Sequence, residues 1–181
     1  MNKVQLFFLD ISEIVGSEGF SVVRLADHDK RRLICFICDK PMTEQITLRM
    51  KHVSETNHML PEVLSKLLFG LTGSHWELVI HEVFNGQYRV VLHNILTNTM
   101  EHLRMSDAVL LHYISKIPLY IEETLMIHQS TAYNPHAMGI SIPINTLDTD
   151  RLNLELERAI EAEDYMLASY LHEELQRRIK Q

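Results

Sequence analysis

The N-terminal part of the chain alternates short apolar segments with polar turns. Apolar segments near residues 4–10, 19–25 and 32–38 are separated by glycine or charged residues, which predicts three strands. Helical patterns follow at about 40–52 and 60–71. The pattern therefore predicts a β-β-β-α-α unit.

The two predicted helices carry recognisable signals. Asp39 followed by Pro41 predicts the start of the first helix, because an aspartate accepts from free first-turn amides and proline suits that turn. The second helix repeats an apolar residue every three or four positions: Leu60, Val63, Leu64, Leu67, Leu68 and Leu71. Such a stripe is typical of a helix with one face in the core, and Gly70 and Gly73 predict its end.

The next segments indicate a tight hairpin. Asn85-Gly86 favours a two-residue type I′ turn between two apolar strands. That register places Glu82 opposite Arg89, an opposite-charge pair, and Val79 opposite Leu92.

A third strand near 99–104, an apolar helix and a strand at 118–121 follow the hairpin. Because the strand and helix order occurs twice, we expect an α+β domain of duplicated β-β-β-α-α units that form a mixed, barrel-like sheet. This domain is predicted to span residues 1–127.

The C-terminal part of the chain has a different composition. Residues 128–146 contain two prolines and a glycine, which indicates a linker or a strap lying on the domain. Residues 147–181 are charged and helical, and predict an antiparallel helical hairpin. Its second helix places five residues on one face: Tyr165, Ala168, Leu171, Leu175 and Ile179.

The charge balance bears on possible partners. The net charge is −7, and residues 147–181 hold five Lys and Arg against nine Asp and Glu. This acidity lowers the expectation of strong nucleic-acid binding. The apolar segments are too short to span a membrane and the first residues lack a secretory cleavage site, so we expect a cytoplasmic protein with no membrane partner.

The region around Arg104 allows two interpretations. Ser106 is a suitable N-cap, and Asp107 would place negative charge at the positive end of a helix dipole, which explains both residues without chemistry. Alternatively, Arg104 beside free helix amides would bind an anion, and Asp107 would bind a divalent metal.

The stretch "RMSDAVLLHYISKIPLYIEETLM" resembles the signature of the bifunctional nuclease family, R-P-S-D-A-I followed by an apolar helix, A-P-I-Y-V and acidic residues. The matching residues are Arg104, Ser106, Asp107, Ala108, Pro118, Tyr120, Glu122 and Glu123, while Met105 replaces a proline.

This resemblance implies a metal-assisted nuclease acting on DNA or RNA. Arg104, Ser106 and Asp107 would then be catalytic. Asp107, Glu122 and Glu123 would bind Mg²⁺ or Mn²⁺. The alternative for the two glutamates is an acidic start to a short helix.

One segment departs from the family. Where the family has R-P-x-T-H-D-L, this chain has "HMLPEVL", with His58, Pro61, Glu62 and Val63 in place of arginine, threonine, histidine and aspartate. If those family residues contribute to catalysis, the activity is lost or changed here. The competing hypothesis is therefore a non-catalytic adaptor.

The C-terminal "LERAIEAEDYMLASYLHEELQRRI" resembles the UVR motif, a helical hairpin of nucleotide-excision-repair proteins that recurs in chaperone adaptors. In that motif one hairpin pairs with another. The resemblance implies a protein partner or a homo-oligomer, bound through the five-residue face of the second helix. The alternative is a hairpin folded on its own domain.

Two further patterns are discounted. Cys35 and Cys38 have C-x-x-C spacing, but residues three apart in a strand face opposite sides of the sheet. We therefore expect two reduced cysteines. No H-x-x-x-H pair occurs among the 11 histidines, so none is assigned to a metal.

Overall fold

The computed structural model describes residues 2–14, 19–68, 75–135 and 142–179, and shows an α+β fold. Its strands are β1 (Lys3–Glu13), β2 (Phe20–Asp27), β3 (Arg32–Asp39), β4 (Trp76–Phe84), β5 (Gln87–Asn94), β6 (Thr99–Arg104), β7 (Leu119–Glu122) and β8 (Thr131–Ala132). Its helices are α1 (Lys40–Met50), α2 (Leu60–Leu68), α3 (Met105–Ser115), α4 (Glu123–Gln129), α5 (Thr149–Glu161) and α6 (Tyr165–Ile179). The predicted end of α2, at Gly70 and Gly73, lies outside the described residues.

The strands of the described residues form one sheet in the order β6-β5-β4-β7-β1-β2-β3-β8. β4 and β7 are parallel, while the other neighbours are antiparallel. The predicted mixed sheet is confirmed. It does not close into a barrel, because β6 and β8 lie at the two ends of the order.

The two halves of the chain occupy equivalent places in this sheet. β1-β2-β3 followed by α1 lies on one side of β7, and β4-β5-β6 followed by α3 lies on the other. The repeated β-β-β-α order is thus present in the fold, while a duplication of the sequence stays a prediction.

The hairpin between β4 and β5 has the predicted turn. Asn85 and Gly86 have φ angles of 48° and 80°, as a type I′ turn requires, and Glu82 pairs with Arg89. The predicted pairing of Val79 with Leu92 is wrong. Val79 pairs with Val91, because β4 carries an extra residue between Ile80 and Glu82 that shifts the register.

The main core lies between one face of the sheet and the helices α1 and α3. Ile46 of α1 and Ala108 and Val109 of α3 are fully buried there. The apolar helix predicted after β6 is α3, and Met105, Ala108, Val109 and Leu110 of this helix are buried.

The described residues of the apolar α2 stripe face solvent, so the prediction of a one-sided core helix is wrong. These exposed residues are Leu60 (68%), Val63 (39%), Leu64 (42%) and Leu67 (58%). Of the other predicted stripe positions, the side chain of Leu68 and all of Leu71 lie outside what the structure describes. The opposite face, which carries Glu62 and Ser65, is buried. The helix is therefore oriented with its apolar side outward.

An ion pair between α1 and α2 explains this orientation. The Arg49 guanidinium donates to both carboxylate oxygens of Glu62, at 2.8 and 2.9 Å, and the two side chains are 4% and 9% exposed. Arg49 also donates to the backbone carbonyl of Gln45. Because an unpaired buried charge costs several kcal/mol, any rotation that buried the leucines would be opposed by the loss of this pair.

The C-terminal residues form the predicted helical hairpin. The Asp148 side chain accepts from the backbone amide of Arg151, and Asp164 accepts from that of Leu167, so both helices begin with a cap. Leu152 and Ala159 of α5 pack with Leu171 of α6 in a separate small core.

The hairpin contacts the domain at the β4–β5 turn and at β2. A Cβ atom on Gly86 would lie 2.2 Å from the carbonyl oxygen of Leu147, so only glycine allows this approach. Arg178 of α6 donates to the carbonyl of Asn145, and Arg151 of α5 stacks 3.8 Å from the Phe20 ring. The predicted strap at 128–146 begins with the end of α4, followed by β8, which pairs with β3.

Candidate functional site

A cleft of about 220 Å³ contains two of the predicted catalytic residues. Its walls come from the end of β3, the start of β5 and the start of α3. The lining residues are Phe36, Ile37, Cys38, Asp39, Gly86, Gln87, Tyr88, Arg104, Met105, Ser106 and Thr146. The junctions β3–α1 and β6–α3, which are equivalent in the two halves, therefore meet in one cleft.

The curvature of the sheet brings these junctions together. β3 ends at the sheet edge where β1 ends, whereas β6 ends at the edge where β1 begins. β3 and β6 also lie on opposite sides of β7. The ends of β3 and β6 therefore lie at diagonally opposite corners of the sheet. They can line one cleft only if the sheet is strongly twisted and coiled.

The helix α3 begins earlier than the sequence predicts. Its N-cap is Arg104, which makes no side-chain capping bond, and the helix starts at Met105. The prediction of Ser106 as the N-cap is wrong, since Ser106 lies inside the first turn. Arg104 is the last residue of β6, so the strand passes directly into the helix and leaves no separate cap residue.

Arg104 and Asp107 form an ion pair at this helix start. The guanidinium donates to both carboxylate oxygens of Asp107, at 2.6 and 3.2 Å. The hydrogen bond to Asp107 raises the pKa of Arg104. The two side chains are 70% and 35% exposed, so this is a surface ion pair that contributes little to stability.

The three predicted metal ligands do not form one group. Glu122 ends β7 and Glu123 begins α4, where its backbone amide donates to the carbonyl of Asn2. Neither glutamate lines the cleft that holds Arg104 and Ser106. Among the described residues, no three His, Cys, Asp or Glu side chains lie together as metal ligands. With both oxygens of Asp107 accepting from Arg104, this arrangement does not fit a divalent metal ion.

Two buried side chains of the cleft are held in the neutral form. Tyr88 is 4% exposed, its hydroxyl has no partner among the described residues, and burial raises its pKa. Burial raises the pKa of the Cys38 thiol to about 11. Burial thus disfavours the thiolate of Cys38 and the phenolate of Tyr88.

The cysteines have the predicted arrangement. Cys38 lies in the main core and Cys35 in a second cluster on the other face of the sheet, and both are free and buried. The C-x-x-C spacing therefore places the two thiols on opposite faces of the sheet.

The five predicted partner-binding residues of α6 divide into two sets. Ala168 and Leu171 are buried in the hairpin, and Leu175 packs against the same core. Tyr165 and Ile179 are exposed. The outer side of α6 also exposes Met166 (72%) and Tyr170 (56%), which the helical pattern did not identify.

The pair of Arg49 and Glu62 and the buried hydroxyl of Tyr88 were not predicted from the sequence. Glu62 belongs to the segment that departs from the bifunctional nuclease pattern, and the structure gives it a buried role. No local signal marks this role, since Glu62 lies 13 residues from Arg49 and on the polar side of an amphipathic helix.

A comparison with protein-family models and a comparison with curated proteins each found no match for the chain. Within the described ranges, no helix combines the length and the apolarity needed to cross a membrane.

Proposed function

We propose that the protein is a non-catalytic adaptor, located in the cytoplasm, that binds a protein partner through the outer side of its C-terminal hairpin. The observation that carries this proposal is the exposure of Tyr165, Met166 and Tyr170 on a helix whose opposite side already closes a core. Aromatic and methionine side chains are enriched in protein interfaces. The resemblance to the UVR motif points to a partner in DNA repair or protein quality control.

The charge of the hairpin favours a protein partner over nucleic acid. Residues 147–181 hold nine acidic against five basic residues, and Arg178 and Arg177 both donate to Glu174. An acidic surface whose arginines are already paired would repel phosphates. It suits a partner helix that carries basic and apolar residues.

A pull-down with full-length protein tests this proposal. Wild type is compared with Met166→Glu/Tyr170→Glu, and Met100→Glu is the control, because Met100 is an exposed methionine on β6. We expect the double variant to lose a specific partner that wild type and the control retain. If all three proteins retain the same partners, the proposed surface is wrong.

The second candidate is a nuclease acting on DNA or RNA, supported by the cleft itself. Arg104 and Ser106 lie in the cleft at the start of an 11-residue helix, an arrangement suited to a phosphate group. Asp107, Glu122 and Glu123 would have to rearrange before they could bind Mg²⁺ or Mn²⁺ together. For this reason we place this candidate second.

A cleavage assay distinguishes the two candidates. Labelled single- and double-stranded DNA and RNA are incubated with the full-length protein and Mg²⁺ or Mn²⁺, beside Arg104→Ala and Asp107→Ala. An adaptor should cleave none of them. Cleavage that is lost in both variants, with their fold intact, would establish the nuclease instead.

We further propose that the two β-β-β-α halves arose by duplication and that the protein forms a homo-oligomer. The symmetric placement of the halves about β7 supports the first statement. The exposed apolar surfaces of α2 and α6 support the second.

A further inference from the structure

The outward face of α2 is the least expected surface of the molecule. Leu60, Val63, Leu64 and Leu67 project from it at the spacing i, i+3, i+4, i+7. Together these half-exposed side chains form an apolar patch of roughly a few hundred Å², comparable with the largest patch on a typical monomer, which is often functional.

The orientation of this face is set by the structure beneath it. Glu62 lies on the opposite side of the helix, where Arg49 holds both of its carboxylate oxygens in a buried ion pair. Ser65 is buried on that same side. Because the ion pair opposes rotation, α2 presents its leucines outward in the folded chain.

We propose that α2 pairs with α2 of a second copy of this chain in an antiparallel, two-fold symmetric dimer. A two-fold axis through the middle of the patch places Val63 opposite Leu64 of the partner copy and Leu60 opposite Leu67. Every apolar residue of the patch then meets another apolar residue. The patch is therefore complementary to itself, as an isologous interface requires.

The distribution of charge also favours a second copy at this surface. Two molecules that each carry a net charge of −7 repel one another, so contact is least costly where no acidic group is exposed. Glu62 is the acidic residue of α2, and it is buried and paired. Lys66 is the basic residue of the helix. The outer face of α2 thus brings no carboxylates together.

The area of the patch limits the expected affinity of the proposed dimer. A standard stable interface buries about 800 Å² on each partner, and the four side chains offer roughly half of that. We therefore expect a concentration-dependent dimer, with α2 at its centre, rather than a permanent one. This inference does not depend on the adaptor proposal, since it uses a different surface.

Sedimentation equilibrium of the full-length protein over a wide concentration range tests the dimer. Wild type is compared with Leu64→Glu and with Leu96→Glu, a control at a position that is 69% exposed in the β5–β6 turn. We expect a monomer–dimer equilibrium in wild type and in the control. Leu64→Glu should raise the dissociation constant by about tenfold or more, because it buries a charge in an apolar seam.

A mixing experiment tests the antiparallel register. Val63→Lys and Leu64→Glu should each be monomeric alone, while their mixture should form a heterodimer in which the new lysine faces the new glutamate. Circular dichroism confirms that each variant is folded, which is expected because both positions are exposed. A mixture that stays monomeric would overturn the proposed pairing.

Two other results would overturn the proposal. Wild type that stays monomeric at the highest concentration would exclude self-association through α2. A dimer that survives Leu64→Glu but dissociates in Met166→Glu/Tyr170→Glu would place the interface on the hairpin. That second outcome would contradict the α2 dimer without contradicting the adaptor proposal, so failure of the two proposals can be distinguished.

Discussion

Two neighbouring helices, α2 and α3, pack against each other but use their apolar residues in opposite ways. α3 is apolar on nearly every face and is buried between the sheet and the other helices. α2 has a clear apolar stripe, yet this stripe faces outward. The comparison shows that periodicity identifies a face of a helix but does not determine which side of the protein that face will meet.

The largest expected effect comes from the ion pair that orients α2. Glu62→Ala leaves Arg49 buried without a partner, so we expect a loss of about 3–5 kcal/mol in the free energy of unfolding, measured by urea denaturation. Arg49→Met/Glu62→Leu should recover most of this loss, because the double variant leaves no unpaired charge. A small effect of Glu62→Ala would mean that the ion pair does not orient the helix.

Matched leucine truncations compare α3 with α2 directly. Leu110 of α3 is 6% exposed and Leu67 of α2 is 58% exposed. We expect Leu110→Ala to lower the free energy of unfolding by about 3 kcal/mol and Leu67→Ala by about 0.5 kcal/mol or less. The measurement should be made at a protein concentration below the dissociation constant of the proposed dimer. Equal losses would indicate that the α2 stripe is buried in solution.

The sheet offers a second buried carboxylate for comparison with Glu62. Burial acts to raise the pKa of Glu77, but hydrogen bonds from Lys3 and His93 outweigh it, so the pKa lies below its ordinary 4.5. The stabilising contribution of Glu77 is therefore present above the unfolded pKa and is lost as the pH falls through the folded pKa.

Urea denaturation as a function of pH tests this linkage. Wild type should lose more stability than Glu77→Gln between about pH 5 and pH 3, since the variant has no carboxylate to protonate at this position. Parallel pH profiles for the two proteins would show that Glu77 does not contribute to the acid dependence.

The smallest effect is expected at the start of α3. Arg104 is largely exposed and Asp107 is partly exposed, so Asp107→Asn should lower the free energy of unfolding by at most about 1 kcal/mol. Thermal denaturation in low and high salt checks this, because salt screens an exposed pair. A loss of several kcal/mol would mean that the ion pair between Arg104 and Asp107 stabilises the fold more than a surface pair should.

Much of the local structure was predictable from neighbouring residues. Asp39 caps α1, and Asn85-Gly86 forms the type I′ turn, because short-range geometry alone decides both features. The bulge in β4 was not predictable, since nothing in the local pattern requires an extra residue there.

The candidate site was predictable only in part. Arg104 and Asp107 lie three residues apart at a strand–helix junction, so their contact follows from the local chain. That Asp39 lines the same cleft, and that Glu122 and Glu123 do not line it, depends on how the sheet coils and on the central place of β7. These relations involve pairings between strands that are distant in the sequence.

The sequence by itself determined the α+β class, the cap of α1, the β4–β5 turn, the opposite faces of the two cysteines and the C-terminal hairpin, because each depends on residues a few positions apart. Only the tertiary structure decided the strand order, the open sheet, the shared cleft and the outward face of α2. The first three features depend on pairings between strands that are distant in the sequence. The outward face of α2 depends on the buried ion pair between Arg49 and Glu62, 13 residues apart, which holds the polar side of the helix inward.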